Sequence, residues 1–311
     1  MEINTSKWKF DFLGKAPLAI TISLALALLS VYVWINSGDT KYGVEYRGGT
    51  ELIVKFKESS DTEVIRKAVE AAGFESPVVQ GFGSFGTNTS EYTIRVGETG
   101  EGKSVEGKLR EALQKVAPDK FEIVQSSFIG PTVGSELRTK GLIAVGVGLL
   151  LILIYVSFRF EFAFALGAVV ALFHDVVIST GLYLLSGRQL SVATLAAALT
   201  IIGYSVNDTI VIFDRVREEL IKRKDFDLVE LINDCINATL SRTIITNLTV
   251  LFSVATLVIF GGGAIEDLSL YLLFGVIAGT YSTVYIASPV VIAWEKAMAA
   301  REAKRSGERG R

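Results

Sequence analysis

Six stretches of the chain are apolar over lengths that suit the ~30 Å hydrocarbon core of a membrane. They cover residues 16–35, 141–158, 162–185, 190–213, 243–260 and 268–293. Because a helix rises about 1.5 Å per residue, each stretch is long enough for one membrane-spanning helix. The pattern therefore predicts a polytopic α-helical membrane protein with six transmembrane helices.

Residues 36–140, between the first two apolar stretches, follow a different pattern. Four runs alternate apolar and polar residues as strands do, at 50–56, 77–82, 91–96 and 121–128. Two runs carry apolar side chains at helical spacing, at 63–72 behind the candidate N-cap Asp61 and at 104–116. With a Gly/Asn/Thr turn at 83–90, the order βαββαβ predicts one α+β ferredoxin-like domain inserted between helices 1 and 2.

Lysine and arginine are concentrated in three places: the N-terminal tail, the stretch after the fourth span, and the C-terminal tail. By the positive-inside rule both termini are then cytoplasmic, and the long insert lies outside. The predicted organisation is a cytoplasmic tail 1–15, an uncleaved helix 16–35, an external (periplasmic) domain 36–140, a five-helix bundle 141–294 with a cytoplasmic loop 215–242, and a cytoplasmic tail 295–311.

Composition excludes several functional classes. Half of the residues are hydrophobic and 21% are charged, with a net charge of −2, which argues against a general nucleic-acid binder. Cys235 and His174 are the only cysteine and histidine, so neither a disulfide framework nor a clustered zinc site is expected. We expect no metal and no bound cofactor.

Asp208 is the residue that points most directly to a transport function. It follows nineteen residues, 189–207, that contain no side chain charged at neutral pH, and openly polar sequence begins only at Asp214. A mid-membrane aspartate costs roughly 2.5–3.5 kcal/mol, and such groups usually serve ions, protons or substrate. We therefore expect Asp208 to be a buried functional carboxyl rather than one that reaches the interface.

Other polar residues accompany Asp208 in the apolar segments. His174 and Asp175 lie near the middle of the third span, and either a structural pair or a proton relay fits them. Asn207 precedes Asp208, and Asn247 lies in the fifth span, where polar residues either line a wet path or join helices. Gly275 and Gly279 form a GxxxG pattern that indicates helix packing.

Arg242, just before the fifth span, has two readings. Alone it is an ordinary cytoplasmic anchor. Because spans four and five are antiparallel, it could also lie at a depth related to that of Asp208. A nearby guanidinium favours the charged carboxylate, whereas burial favours the neutral acid, and such opposed effects suit a group that loads and releases a proton.

Several motifs together resemble the SecF proteins of the SecD/SecF family, which belongs with the RND-type transporters. They occur in the same order over nearly the whole chain: Phe10-Asp11-Phe12-Leu13-Gly14-Lys15, Gly48-Gly49-Thr50, Ile129-Gly130-Pro131-Thr132-Val133-Gly134, His174-Asp175, Gly203-Tyr204-Ser205-Val206-Asn207-Asp208-Thr209, Phe213-Asp214-Arg215 and Ser241-Arg242-Thr243. The motif around Asp208 is the most specific of them.

The resemblance implies an accessory subunit of the Sec protein translocase in the cytoplasmic (inner) membrane. It implies that SecD is the partner in a heterodimer, that the SecYEG channel and YidC associate with it, and that SecA acts on the same exported polypeptide. It also implies that the proton motive force drives late steps of export, with Asp208 and Arg242 in the proton pathway and no enzymatic reaction.

Three other functions stay open on the sequence alone. A stand-alone RND-type proton-coupled exporter of small molecules or lipids would need a dimer or a second half, because the chain has one set of six spans. An intramembrane aspartyl protease would need Asp175 and Asp208 at one depth. A purely structural scaffold would leave the buried charges without a role.

Overall fold

The computed structural model describes residues 9–58, 60–75, 77–83, 90–97, 102–118, 120–223 and 225–309. The predicted turn at 83–90 and most of the predicted tail 1–15 therefore lie largely outside the described residues. Ten α-helices occur in the described part, named α1 to α10: Ala16–Asn36, Val44–Arg47, Thr62–Ala71, Gly102–Val116, Pro131–Arg159, Phe162–Leu185, Val192–Lys222, Leu228–Phe260, Gly263–Ser282 and Ser288–Arg309.

Six of the helical segments in the described residues are long and apolar enough to cross a membrane. Helices α1, α5, α6, α7 and α8 supply five of them, and α9 with α10 supplies the sixth. Helices α6 and α9 are among the more buried, whereas α1 and α5 expose most of their side chains. The prediction of a mostly helical, multi-span protein is confirmed.

The four strands are β1 Gly49–Phe56, β2 Val78–Gly83, β3 Ser90–Val96 and β4 Phe121–Ile129. They form one antiparallel sheet in the order β2-β3-β1-β4, so β4 is an edge strand. Apolar residues on one face of the sheet, such as Leu52, pack in one core with Ile65 of α3 and Leu109 of α4. The strand and helix order βαββαβ is as predicted, and Asp61 caps α3 by accepting a hydrogen bond from the Glu63 N–H.

Small residues let α9 approach its neighbours closely. A Cβ added at Gly275 would lie 1.8 Å from Ile201 Cδ1, and one at Gly279 would lie 2.9 Å from Ser205 Oγ. The GxxxG pattern therefore packs α9 against α7, as its default reading predicted.

A short π-helix, Thr283–Ala287, joins α9 to α10. Pro289 follows it, and a proline has no N–H to donate to the carbonyl one turn earlier. The chain widens its turn there, as single π-turns in helices do. Within this π-turn the Ser288 hydroxyl donates to the carbonyl of Thr283 at 3.2 Å.

Two helices differ from the sequence prediction. Helix α5 begins at Pro131 rather than at 141, because its first turns are polar and escape a hydropathy criterion. The predicted loop 215–242 is wrong for most of its length, since α7 continues to Lys222 and α8 begins at Leu228. Asp227 caps α8 by accepting from two backbone N–H groups, and residues buried along its first turns keep a helical spacing: Leu231, Ile232, Cys235 and Ile236.

The sheet lies at one end of the helices, which we call the sheet end; there α1, α6 and α8 finish and α5, α7 and α9 begin. Backbone hydrogen bonds join the stretch after α1 to the turn before α7, from Gly43 N to Leu190 O (2.8 Å) and from Leu190 N to Lys41 O (2.8 Å). At the opposite end, which we call the far end, Asn233 and Asn237 of α8 hold the backbone of Phe10.

Candidate functional site

Asp208 lies on α7, about 24 Å along the helix from its sheet end at 1.5 Å per residue. Its side chain is buried, with the residue 5% exposed. Asn247 of α8 donates its amide N–H to Asp208 Oδ2 at 2.7 Å. The expectation of a buried carboxyl in this helix is therefore met by the geometry, and its direct contact is a neutral amide.

Tyr204, one turn before Asp208, fixes the orientation of that amide. Its hydroxyl donates to Asn247 Oδ1 at 2.7 Å, so the Asn247 N–H group must point to Asp208. We call Tyr204, Asp208 and Asn247 the Asp208 cluster. The cluster presents a preset hydrogen-bond donor to one oxygen of a carboxyl in an otherwise apolar helix.

Arg242 is not the direct partner of Asp208. It is exposed on α8, and no ion pair within 4.0 Å joins it to a described residue. Its guanidinium is close enough to act on the Asp208 carboxylate electrostatically. Arg242 therefore acts on Asp208 over a longer distance than an ion pair, and the shared depth of residues 208 and 242 stays a prediction.

His174 and Asp175 belong to a second group of polar side chains, which we call the Asp175 cluster: Ser23, His174, Asp175, Ser205 and Ser282. Asp175 Oδ2 accepts from the hydroxyls of Ser205 (2.6 Å) and Ser282 (2.9 Å). Its other oxygen lies 3.1 Å from His174 Nδ1, and the Nε2 of that ring lies 2.5 Å from Ser23 Oγ. Because every Asp175 oxygen has a partner, the cluster ties α1, α6, α7 and α9 together.

Helix α7 serves both clusters from different faces. Tyr204 and Asp208 face α8, whereas Ser205 faces Asp175 on α6. Thr209, next to Asp208, contacts the Thr283 hydroxyl at 3.2 Å. Among the described residues Asp175 and Asp208 share no hydrogen bond, so the sequence-predicted polar groups converge into two clusters rather than one.

Asn207 departs from the prediction of a supporting role inside the bundle. It is exposed, and no hydrogen bond of its side chain occurs within the described part of the chain. Helix α8 likewise exposes three hydroxyl residues, Thr249, Ser253 and Thr256, each of which donates to a carbonyl of its own helix. Both helices therefore present polar groups on their outer surfaces.

The sequence did not single out Ser23 or Ser205 as partners of the buried charges. Serine is common in membrane helices, and only the helix packing shows which hydroxyl meets a carboxyl. No group of three or more His, Cys, Asp or Glu side chains in the described residues is arranged to hold a metal ion.

Comparison with known proteins identifies the family of the chain. The family model for "Protein export membrane protein SecD/SecF, C-terminal" matches residues 108–297. The protein translocase subunit SecF of Rickettsia bellii is 38% identical over 94% of this chain and 95% of its own length. The SecF subunit of Calditerrivibrio nitroreducens is 37% identical over 94% of this chain and 96% of its own.

Solved structures of similar fold belong to the same family. The crystal structure of SecDF, a translocon-associated membrane protein from Thermus thermophilus, superposes with a TM-score of 0.81 and 34% identity over 93% of this chain. A SecDF crystal structure in a super-membrane-facing form gives a TM-score of 0.70 and 35% identity over 96% of the chain. The chain spans 39% and 40% of those two proteins. The chain therefore belongs to the SecD/SecF family of protein export membrane proteins, and it is a multi-pass membrane protein with a role in Sec protein translocation.

Proposed function

We propose that this chain is the SecF-type half of a proton-driven export device, in which Asp208 takes up and releases the proton. The observation that carries the proposal is the environment of Asp208: a carboxyl buried in a membrane helix whose contact is an amide rather than a cation. Intramembrane carboxyls of this kind commonly mark ion and proton pathways.

The environment makes the two protonation states of Asp208 differ strongly in free energy. A carboxylate removed from water is costly unless it is paired and hydrogen-bonded. Asn247 supplies one hydrogen bond and Arg242 a longer-range attraction, and burial opposes the charged form. Gain or loss of one proton therefore changes the electrostatic balance between α7 and α8.

The driving force is of the right size for a conformational change. A membrane potential supplies about 2.3 kcal/mol per elementary charge per 100 mV. Two conformations that differ by a few kcal/mol change population substantially under such a bias. No bound cofactor and no enzymatic step is needed in this scheme, because the proton gradient is the energy source.

SecD is the partner we propose. The two solved proteins are named SecDF, and this chain matches about two fifths of each, which leaves room for a second half. The exposed surface of α7 and α8 carries polar residues, such as Asn207 and Ser253, which favours contact with a protein partner there over contact with lipid. The edge strand β4, with exposed Val124 and Phe128, offers a second surface for the same partner.

The charge distribution supports a location in the cytoplasmic membrane with the sheet end outside. Arginine and lysine residues at the far end, including Arg159, Arg215 and Lys222, outnumber those in the short turns at the sheet end. On the outer side of the membrane, the sheet would meet the polypeptide that leaves the SecYEG channel after SecA has driven it through. YidC would belong to the same assembly.

The test uses vesicles that hold the full chain together with SecD and the SecYEG channel. Asp208→Asn keeps the shape of the side chain and its acceptor for Asn247 but cannot be ionised. We expect export in the presence of a proton gradient to fall to the level measured without one. Asp214→Asn, which removes an exposed carboxylate paired with Arg159 at 3.2 Å, is the matched control and should retain the stimulation.

Stimulation of export at the wild-type level in Asp208→Asn would overturn the proposal. The stand-alone exporter gives a different result: the chain without SecD would then release small molecules or lipids from vesicles in a gradient-dependent manner. Purification of the chain with and without SecD, followed by both assays, separates the two functions.

A further inference from the structure

The sheet and the membrane helices are joined by a group of buried charges at the sheet end. Arg95 of β3, 8% exposed, donates Nε–H to Glu51 of β1 at 2.5 Å and Nη1–H to Gln80 of β2 at 3.1 Å. Its third donor, Nη2–H, leaves the sheet and reaches Asp267 Oδ2 at 3.4 Å. One guanidinium thus connects three strands to the first turns of α9.

Asp267 is held from the other side as well. It is 1% exposed, and its Oδ1 accepts from Arg188 Nη1 at 2.6 Å. Arg188 lies in the turn between α6 and α7 and also pairs with Glu266. Asp267 therefore bridges two arginines, one on the sheet and one between membrane helices.

Arg95 keeps its charge in this position. Burial alone would lower its pKa, but the carboxylates of Glu51 and Asp267 act against burial and raise the pKa above the ordinary value of an arginine. Arg95 is therefore charged throughout the working pH range.

Helix α9 runs from this junction to the polar clusters in the membrane. Asp267 and Ser282 are separated by about 22 Å of unbroken helix at 1.5 Å per residue. Ser282 donates to Asp175, and Thr283 contacts Thr209, the neighbour of Asp208. The close packing at Gly275 and Gly279 keeps α9 against α7 between those ends.

We propose that Arg95 and Asp267 are positioning residues that transmit movement of α9 to the sheet. The inference rests on the proposed proton-driven function and adds the route by which that function reaches the outer domain. The two covalent connections of the sheet lead to α1 and α5, whereas the Arg95–Asp267 contact joins the sheet to α9, and Thr283, directly after α9, contacts Thr209 of α7 beside Asp208. A hydrogen-bonded ion pair fixes direction as well as distance, which an apolar contact does not.

A pair of isosteric substitutions tests this link in the vesicles that hold SecD and the channel. Asp267→Asn removes the charge that joins the sheet to α9 but leaves Arg95 bonded to Glu51 and Arg188 bonded to Glu266. Glu51→Gln weakens Arg95 within the sheet but keeps its contact with Asp267. We expect gradient-stimulated export to fall about tenfold in Asp267→Asn, the change in an equilibrium when one charged hydrogen bond is lost, and to stay near wild type in Glu51→Gln.

Two further measurements separate transmission from a general loss of structure. Carbodiimide reacts with protonated buried carboxyls, so the pH profile of labelling at Asp208 reports the proton site itself; it should be unchanged in Asp267→Asn. In a Cys235→Ala background, spin labels on Glu122→Cys of β4 and Ile259→Cys of α8 should show one distance in the otherwise unsubstituted chain and a broader distribution with Asp267→Asn.

The outcomes are distinct. If Asp208→Asn abolishes stimulation while Asp267→Asn retains it in full, the coupling route is wrong and the proton site stands. If the labelling profile at Asp208 shifts together with the loss of export, Asp267 acts on the fold of the bundle and the route is equally wrong. If Asp208→Asn has no effect, the proposed function itself fails.

Discussion

The molecule buries negative charge in two regions, and it treats the charge differently in each. At the sheet end, Asp267 lies between two guanidinium groups, those of Arg95 and Arg188. In the membrane, Asp208 accepts a hydrogen bond from the amide of Asn247, and no ion pair within 4.0 Å joins it to a cation among the described residues. A fully paired charge fixes a structure, whereas a carboxyl with a neutral partner can change its protonation state at a lower cost.

The comparison explains why the two regions can act together. The Asp208 cluster is suited to change and the sheet-end ion pairs are suited to persist. Helix α9 carries Asp267 at one end; at its other end Ser282 donates to Asp175, and the following residue, Thr283, contacts Thr209, the neighbour of Asp208. A proton-dependent switch needs a stable element to act on. Asp208 is the candidate switch, and the ion pairs at the sheet end are the candidate stable element.

The largest expected effect comes from removing the paired cation. Arg95→Leu leaves Glu51 and Asp267 buried with one partner fewer, and breaking a buried pair in this way costs roughly 3–5 kcal/mol. We expect a marked fall in the unfolding temperature of the purified protein in detergent. Lys120→Leu, which removes an exposed ion pair with Glu58 in the same domain, should change stability by about 0.5 kcal/mol or less. Equal losses in the two variants would contradict the comparison.

A smaller effect on stability is expected at Asp208, despite its central place in function. Asp208→Asn removes a buried charge that has no cation in contact, and the Asn247 N–H can still donate to the new amide oxygen. We expect the free energy of unfolding to change by about 1 kcal/mol or less, in either direction. A loss as large as that of Arg95→Leu would show that Asp208 is structural.

The smallest effect concerns Glu45, a carboxyl of intermediate burial at the sheet end that accepts a hydrogen bond from the Val192 N–H of α7. Burial raises the pKa of Glu45, and the hydrogen bond from Val192 offsets this only in part. The folded protein therefore binds this proton more tightly than the unfolded chain does. Its contribution to stability is complete below the ordinary pKa of 4.5 and is lost as pH rises through the higher folded-state value.

Glu45→Gln removes that loss, so the variant should gain stability relative to wild type as the pH increases. Unfolding temperatures of both proteins, measured from about pH 4 to pH 8, give the difference directly. A difference that does not vary with pH would contradict a raised pKa of Glu45 in the folded protein.

Much of the fold could be predicted because its signals are local. The strand and helix periods of the inserted domain and the capping by Asp61 depend on neighbours in the sequence. The first part of α8 was missed for an equally local reason: basic residues around 222–224 suggested a loop, although the buried residues from Leu231 to Ile236 already follow a helical spacing.

The site was predicted only in part. The cost of a charge in an apolar run is visible in the sequence, and Asp208 could be chosen from it. Its partner could not, because Arg242 and Asn247 lie on the same helix about one and a half turns apart, and the rotation of α8 decides which of them faces α7.

The sequence alone determined the six spans, the order βαββαβ and the anomaly of Asp208, since each depends on spacing and composition along the chain. Only the tertiary structure decided which charges are paired. Arg95 and Asp267 are 172 residues apart; Arg95 is at a polar position of an alternating strand and Asp267 lies just before an apolar span, and both positions look solvated in the sequence. Their burial follows from the docking of the sheet on the helices, and that is a property of the packed molecule rather than of any segment of it.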